Sequence, residues 1–198
     1  MYIHMVIFYT CSYYGKQKYQ KWYDLVRKTI KEFHVELLSP EEGNYKNVLN
    51  EETKKHITDP KVLHYEAIRQ GIHQAEVMIV EVSHEDVQLG HEITLALAEK
   101  KPVLCLSVYE DFSKKIHNDY FVGTKYNKNN LKPIIQNFLA RARELTLSKR
   151  FNMFLYPSQT DYLEKIGKQS GMNMSEYIRH LINLDKRNTR LGETSQGS

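Results

Sequence analysis

Five short runs of apolar and β-branched residues recur along the first 126 positions of the chain. They are YIHMVIFY (2–9), VELLS (35–39), EVMIVEVS (76–83), PVLCLSV (102–108) and YFVGTKY (120–126). Each has the length of a strand and an apolar character suited to burial on both faces. Between them the apolar spacing changes to that of a helix. KYQKWYDLVRKTIKEF (18–33) places Trp22, Leu25, Val26 and Ile30 on one side. Asp59-Pro60 supplies an N-cap and a first-turn proline for a helix reaching about Gln74. Leu89 to Lys100 repeats the pattern with Ile93, Leu95, Leu97 and Ala98, and Asn130 to Leu147 carries Pro133 in its first turn. The polar stretch 40–58 reads as a loop with at most a short helix.

Strands that alternate with helices at this spacing predict a doubly wound α/β domain over residues 1–147. Its expected core is a mainly parallel five-stranded sheet of the flavodoxin or Rossmann-like kind. In such folds ligands bind outside the carboxyl ends of the strands. That brings together three loops: TCSYYGK after the first strand, the 40s loop after the second, and SHEDVQLGHE after the third.

The last quarter of the chain differs. From Arg141 onward it holds ten Lys and Arg against six Asp and Glu, so it carries the whole net charge of +4. KRFNMFLYP (149–157) alternates as a strand would, with Phe151, Met153 and Leu155 on one face and Arg150, Asn152 and Phe154 on the other. Two short helices are expected over about 158–170 and 174–187. Between them, Gly171 is the C-terminal stop of the first, and Asn173 with Glu176 forms a capping-box-like pair. One strand and two helices bury little on their own, so residues 148–190 are expected to need a partner. The tail 191–198 is expected to be disordered.

Cys11 and Cys105 cannot form a disulfide framework and read as buried thiols. No apolar run approaches membrane-spanning length, and MYIHMVIFY lacks the features of a signal peptide, so a cytoplasmic protein without membrane contact is expected. Nine histidines invite a metal reading, but their spacing does not support one; no metal or cofactor is expected.

The stretch EDVQLGHE (85–92) is the chemical focus. Asp86 falls in a loop and Glu92 in the first turn of the helix after Gly90, where the helix dipole favours an ionised carboxylate. Gly90 leaves room for a ligand near the backbone. Two such carboxylates suit chemistry at an anomeric carbon, one attacking while another acid assists the leaving group. Acids at a helix start are also common for dipole reasons alone. His91 flanks Glu92 but is expected to point elsewhere, and Tyr13 and Tyr14 are placed to stack on a base.

EDVQLGHEITLALAEKKPVLCL resembles the nucleoside 2-deoxyribosyltransferase superfamily, which includes the 2′-deoxynucleoside 5′-phosphate N-hydrolases. The matching residues are Asp86, Gly90, Glu92, Ala96, Lys101-Pro102 and the strand VLCL, with AEVMIVEV and its Glu81 before them. The resemblance covers residues 2–140. It implies that Glu92 is a nucleophile forming a covalent glycosyl-enzyme and that Asp86 is an active-site acid. It also implies that Tyr9, Ser12 and Gly15 surround the sugar and any 5′-phosphate, with Lys16 offering a charge-assisted contact. A nucleoside or nucleotide ligand follows from it, as does a homodimer or higher oligomer. Two positions depart from the pattern. Cys11 stands in place of a glycine, and Ile68 stands where the family has a sugar-orienting acid, with Glu66 the nearest carboxylate.

The segment from RFNMFLYP to Gly171-Met172-Asn173-Met174-Ser175-Glu176 resembles the ribbon-helix-helix (Arc/MetJ-type) DNA-binding family. That likeness implies that Arg150, Asn152 and Phe154 face bases of duplex DNA in the major groove, and that the helix start at Asn173 holds a phosphate. A dimerisation element that never touches DNA is the other reading of this segment. Two functions therefore stand: cleavage or exchange of an N-glycosidic bond, or a DNA-binding regulator whose α/β domain senses a nucleotide without turnover.

Overall fold

The computed structural model describes residues 5–146 and 153–193. It divides into two compact units, 1–148 and 149–198. In the first, five strands form one wholly parallel sheet: β1 (Val6–Cys11), β2 (Glu36–Leu38), β3 (Val77–Glu81), β4 (Val103–Ser107) and β5 (Phe121–Lys125), in the order β2-β1-β3-β4-β5. The sequence predicts a mainly parallel sheet; here no strand runs against the others.

Among the described residues, five α-helices belong to this unit: α1 (Lys16–Lys31), α2 (Glu51–His56), α3 (Pro60–Gln74), α4 (Val87–Ala98) and α5 (Leu131–Thr146). They cover both faces, and the strands divide their side chains between them. Phe8, Met78, Val80, Val103 and Cys105 pack under Ala67, Ile68 and Ile72 of α3 and Leu89, Ile93 and Ala96 of α4. Ile7, Tyr9, Val77, Ile79, Leu104 and Leu106 point the other way, onto Val26 and Ile30 of α1 and Leu131, Ile135 and Phe138 of α5. All five residues of β3 are buried. Asp59 caps α3 as expected, accepting from the Lys61 backbone N–H at 2.8 Å, with Pro60 in the first turn.

β2 and β3 flank β1 on opposite sides, so the strand order reverses between β1 and β3. A crevice opens there at the carboxyl ends, where Cys11 and Glu81 stand in register.

In the second unit, α6 (Pro157–Ser170) and α7 (Met174–Glu193) follow each other as the sequence predicts. Gly171 ends α6 in the left-handed conformation (φ 66°), and the Met172 N–H donates back to the Gly167 carbonyl at 2.8 Å. α7 runs to Glu193, past the expected end at 187 and into the segment expected to be disordered; 194–198 lie outside the described residues. Of the expected strand 149–157, residues 149–152 also lie outside them, and 153–156 adopt no strand.

Candidate functional site

The three loops predicted to meet do meet. A cavity of about 390 Å³ is lined by Thr10 and Cys11 at the end of β1, by Tyr13, Tyr14 and Lys16 after it, by Pro40, Glu41 and Tyr45 after β2, and by Asp86, Gln88 and Leu89 at the start of α4. A larger cavity of about 530 Å³ lies between α3 and α4. Its walls include His64, Tyr65 and Ile68 from α3 and Gln88, His91, Glu92 and Leu95 from α4. Tyr14, His64 and Gln88 border both. These are volumes suited to small-molecule ligands.

The two carboxylates singled out in the sequence face different cavities: Asp86 the smaller, Glu92 the larger. Asp86 lies in the loop, as expected, at its last position, where it is the N-cap of α4. One of its oxygens accepts from the Gln88 backbone N–H at 3.0 Å, the other from the Ser12 hydroxyl at 2.8 Å. Helix α4 begins at Val87, so Glu92 is its sixth residue and lies in the second turn, not the first. There the helix dipole has faded. Glu92 is 2% exposed. Its pKa is raised to about 7, first by burial and to a smaller degree by the Asp86 charge, against the lowering effect of hydrogen bonding from Gln88 and Thr10. The expectation of a carboxylate kept fully ionised at neutral pH is therefore corrected, because desolvation outweighs the dipole. The Gln88 side-chain amide donates to Glu92 Oε1 at 2.8 Å, while the buried Oε2 has no hydrogen-bond partner among the described residues.

The other sequence-predicted residues divide. Ser12 is buried; it donates to Asp86, and its hydroxyl accepts from the Gly15 N–H at 3.4 Å, so it positions Asp86. Lys16 lines the smaller cavity, but its ammonium is paired with Glu41 at 2.7 Å. Tyr9 is corrected from a ligand residue to a core residue: it is fully buried on the α1 side, and its hydroxyl donates to the Tyr23 carbonyl at 3.1 Å. Gly15 is corrected likewise. A Cβ there would meet Tyr23 Oη at 2.1 Å and His84 Cβ at 2.6 Å, so its small size serves packing. Gly90 does have open space on its Cβ side. Ile68, 2% exposed, presents an apolar surface to the larger cavity, and Glu66 is engaged by Arg69.

His91 does not point away. It lines the Glu92 cavity and stacks on Tyr65, with ring centroids 5.9 Å apart. The sequence reading missed His64, Tyr65 and Gln88. Their signal was the i, i+4 relation of Gln88 to Glu92 and the polar face of α3 that His64 and Tyr65 share. His64 Nδ1 is 2.7 Å from the Tyr45 hydroxyl; burial, then the nearby Lys46 charge, lowers its pKa.

Glu81 is a second buried acid, at the end of β3 and 0% exposed. It accepts from the Ser83 hydroxyl, from the Ser83 N–H at 3.2 Å and from the Tyr126 hydroxyl at 3.1 Å. Burial raises its pKa to about 7 despite these bonds. Among the described residues, no group of three or more His, Cys, Asp or Glu is placed to hold a metal ion, and no helix is long and apolar enough to cross a membrane.

Of the expected DNA-facing residues, Arg150 and Asn152 lie outside the described residues. Phe154 is fully exposed. Asn173 exchanges hydrogen bonds with Glu176: the Glu176 N–H donates to Asn173 Oδ1 at 3.0 Å, and the Asn173 N–H to Glu176 Oε2 at 2.9 Å. This helix start is thus already capped, with an acid beside it. Those features disfavour the phosphate expected there.

No family model and no curated protein matches the chain. Among solved structures, it is similar to a de novo designed Rossmann 2x3 fold protein at 15% identity. That match covers 78% of this chain and all of the other, with a TM-score of 0.39.

Proposed function

We propose that the protein cleaves or exchanges the N-glycosidic bond of a (deoxy)nucleoside or nucleoside 5′-monophosphate through a covalent glycosyl intermediate on Glu92. The observation that carries this reading is the unpartnered Oε2 of a buried glutamate on the wall of a nucleoside-sized cavity. A buried polar atom without a partner is costly, and a ligand that engages it relieves that cost. Tyr14 and the stacked Tyr65–His91 pair give the same cavity aromatic walls suited to a planar base.

In the proposed reaction, ionised Glu92 attacks the anomeric carbon with Oε2. The carbon–nitrogen bond breaks, and its electron pair leaves with the base, which takes up a proton from solvent. Water or a second base then attacks the same carbon, gives up a proton to solvent, and releases the Glu92 carboxylate. Water gives a hydrolase and a base gives a transferase. The chemistry calls for no cofactor. The test is chromatography of free base released from ribo- and deoxynucleosides and their 5′-monophosphates, with Glu92→Ala alongside. Release by the wild type alone supports the proposal, and equal release by the variant sinks the nucleophile.

One observation favours a second reading. Ile68 offers no hydrogen bond to a sugar hydroxyl in that cavity, which fits a ligand bound without turnover. The protein would then be a DNA-binding regulator, a homodimer whose second unit meets duplex DNA through Arg150, Asn152 and Phe154. Nucleosides that raise the melting temperature without losing their base support it. So does duplex binding whose salt slope falls in Arg150→Ala.

A further inference from the structure

We propose that Gln88 is the positioning residue of Glu92: its side-chain amide, held between Glu92 Oε1 and His64, fixes Oε2 as the carboxylate oxygen presented to the larger cavity. This rests on the reading of Glu92 as the reacting group. The geometry is a chain of four side chains. The Tyr45 hydroxyl lies 2.7 Å from His64 Nδ1, His64 Nε2 lies 3.5 Å from Gln88 Nε2, and Gln88 Nε2 donates to Glu92 Oε1 at 2.8 Å.

Each link constrains the next. Burial and the Lys46 charge both disfavour the charged imidazole of His64, and in the neutral ring one nitrogen carries hydrogen while the other accepts. In the tautomer that gives Nδ1–H to the Tyr45 hydroxyl, Nε2 is the acceptor that faces the Gln88 amide nitrogen. That nitrogen has two hydrogens and meets two acceptors, His64 Nε2 and Glu92 Oε1. Turned over, the amide would set its own oxygen against both. The pair therefore holds the amide with its nitrogen toward Glu92. The backbone contributes as well, because the Gln88 N–H is fixed by the Asp86 cap. Oε1 is then engaged, and Oε2 remains for a ligand.

The titratable groups around Glu92 are Asp86 and His91 on its own helix, Lys61, His64 and Tyr65 on α3, and Tyr14 from the loop after β1. Of these, Asp86 is the charge that raises its pKa, and the Gln88 hydrogen bond opposes that effect.

The experiment is a pH titration of Glu92 in the full chain by carbon NMR of carboxyl-labelled glutamate, with the resonance assigned by its loss in Glu92→Gln. Gln88→Leu removes the donor and leaves the ionised form less stabilised. The midpoint should rise by roughly one unit, a tenfold change in the protonation constant. Gln88→Lys replaces the donor with a cation, and the midpoint should fall. Gln88 is exposed on the cavity side, so both chains are expected to fold; Gln88→Met is the alternative to Leu. A midpoint unmoved by Leu or Met overturns the proposal, as does one that Lys and Leu move in the same direction. Base release in the same variants separates this proposal from the reaction. Midpoints that move as stated, in a chain that releases base from no nucleoside, leave Gln88 as the positioning residue and sink the glycosidic reading.

Discussion

The hydroxyl of Ser12 donates to Oδ2 of Asp86 at 2.8 Å, a bond that joins the loop after β1 to the start of α4 across 74 positions of sequence. Asp86 spends its other oxygen on the Gln88 N–H, so one side chain both caps the helix and anchors the loop. Asp86→Ala should cost about 1 kcal/mol for the lost cap and about 1 kcal/mol more for the stranded Ser12 hydroxyl. Ser12→Ala alone should cost less. In urea unfolding, the double variant should fall short of the sum of the two by roughly 0.5 kcal/mol or more. Strict additivity would show that the bond does not couple loop and helix.

Stability should fall as pH rises. Glu81 and Glu92 both have pKa values raised from 4.5 to about 7 in the folded chain. Between those values the folded state holds more protons than the unfolded state. The stability these groups confer is fully present below about pH 4.5 and is lost as pH rises through about 7. The loss is on the order of 3 kcal/mol per group. Thermal unfolding across pH 4–8 should show a shallower decline in Glu81→Gln and in Glu92→Gln than in the wild type. An unchanged slope in both would mean that neither acid is buried in solution as it is here.

Two glycines should respond in opposite ways to alanine. At Gly15 the new methyl would overlap Tyr23 Oη and His84 Cβ, so Gly15→Ala should destabilise by about 1–3 kcal/mol and shift the loop that carries Ser12. At Gly90, inside α4, an added Cβ meets no described atom within 4 Å beyond its neighbours and its own helix backbone, and Gly90→Ala should stabilise by up to about 1 kcal/mol through helix propensity. Denaturant midpoints of the two variants decide this. A loss of base release in a stabilised Gly90→Ala chain would also show that a ligand approaches that part of the helix.

Lys16 is expected not to read a phosphate. Its ammonium is held by Glu41, whose presence raises the lysine pKa, and the cavity it lines also contains Asp86. Lys16→Ala should therefore change KM for a nucleoside and for its 5′-monophosphate by the same factor. A loss confined to the monophosphate would return Lys16 to the phosphate role that the family likeness implies.

The sheet and its helices were legible because each is written locally: short apolar runs, helical spacing, and cap residues such as Asp59. The meeting of the three loops was legible as well, since it follows from strand direction alone. Tyr9 was misread because a strand-end residue reaches either the crevice or the core, and only the packing of α1 decides which. His64, Tyr65 and Gln88 were missed because the rotation of α3 against α4 selects them, and that rotation is a property of packing. The protonation of Glu92 was misjudged for a related reason. Proximity to a helix start is visible in a string of letters, whereas the depth of burial that overrides it is not.

Glu81 has a consequence for how the sheet assembles. β3 is apolar on both faces, so sliding it by one residue against β1 or β4 would exchange one greasy surface for another at little cost. Its final residue breaks that degeneracy. Only with Glu81 opposite Cys11 and Leu106 does the carboxylate reach the Tyr126 hydroxyl, whereas the bonds from Ser83 are local and move with the strand. Any other alignment takes from a buried acid the one donor that comes from outside its own segment. The glutamate works as an alignment key, rejecting slipped pairings that the surrounding valines and isoleucines would tolerate.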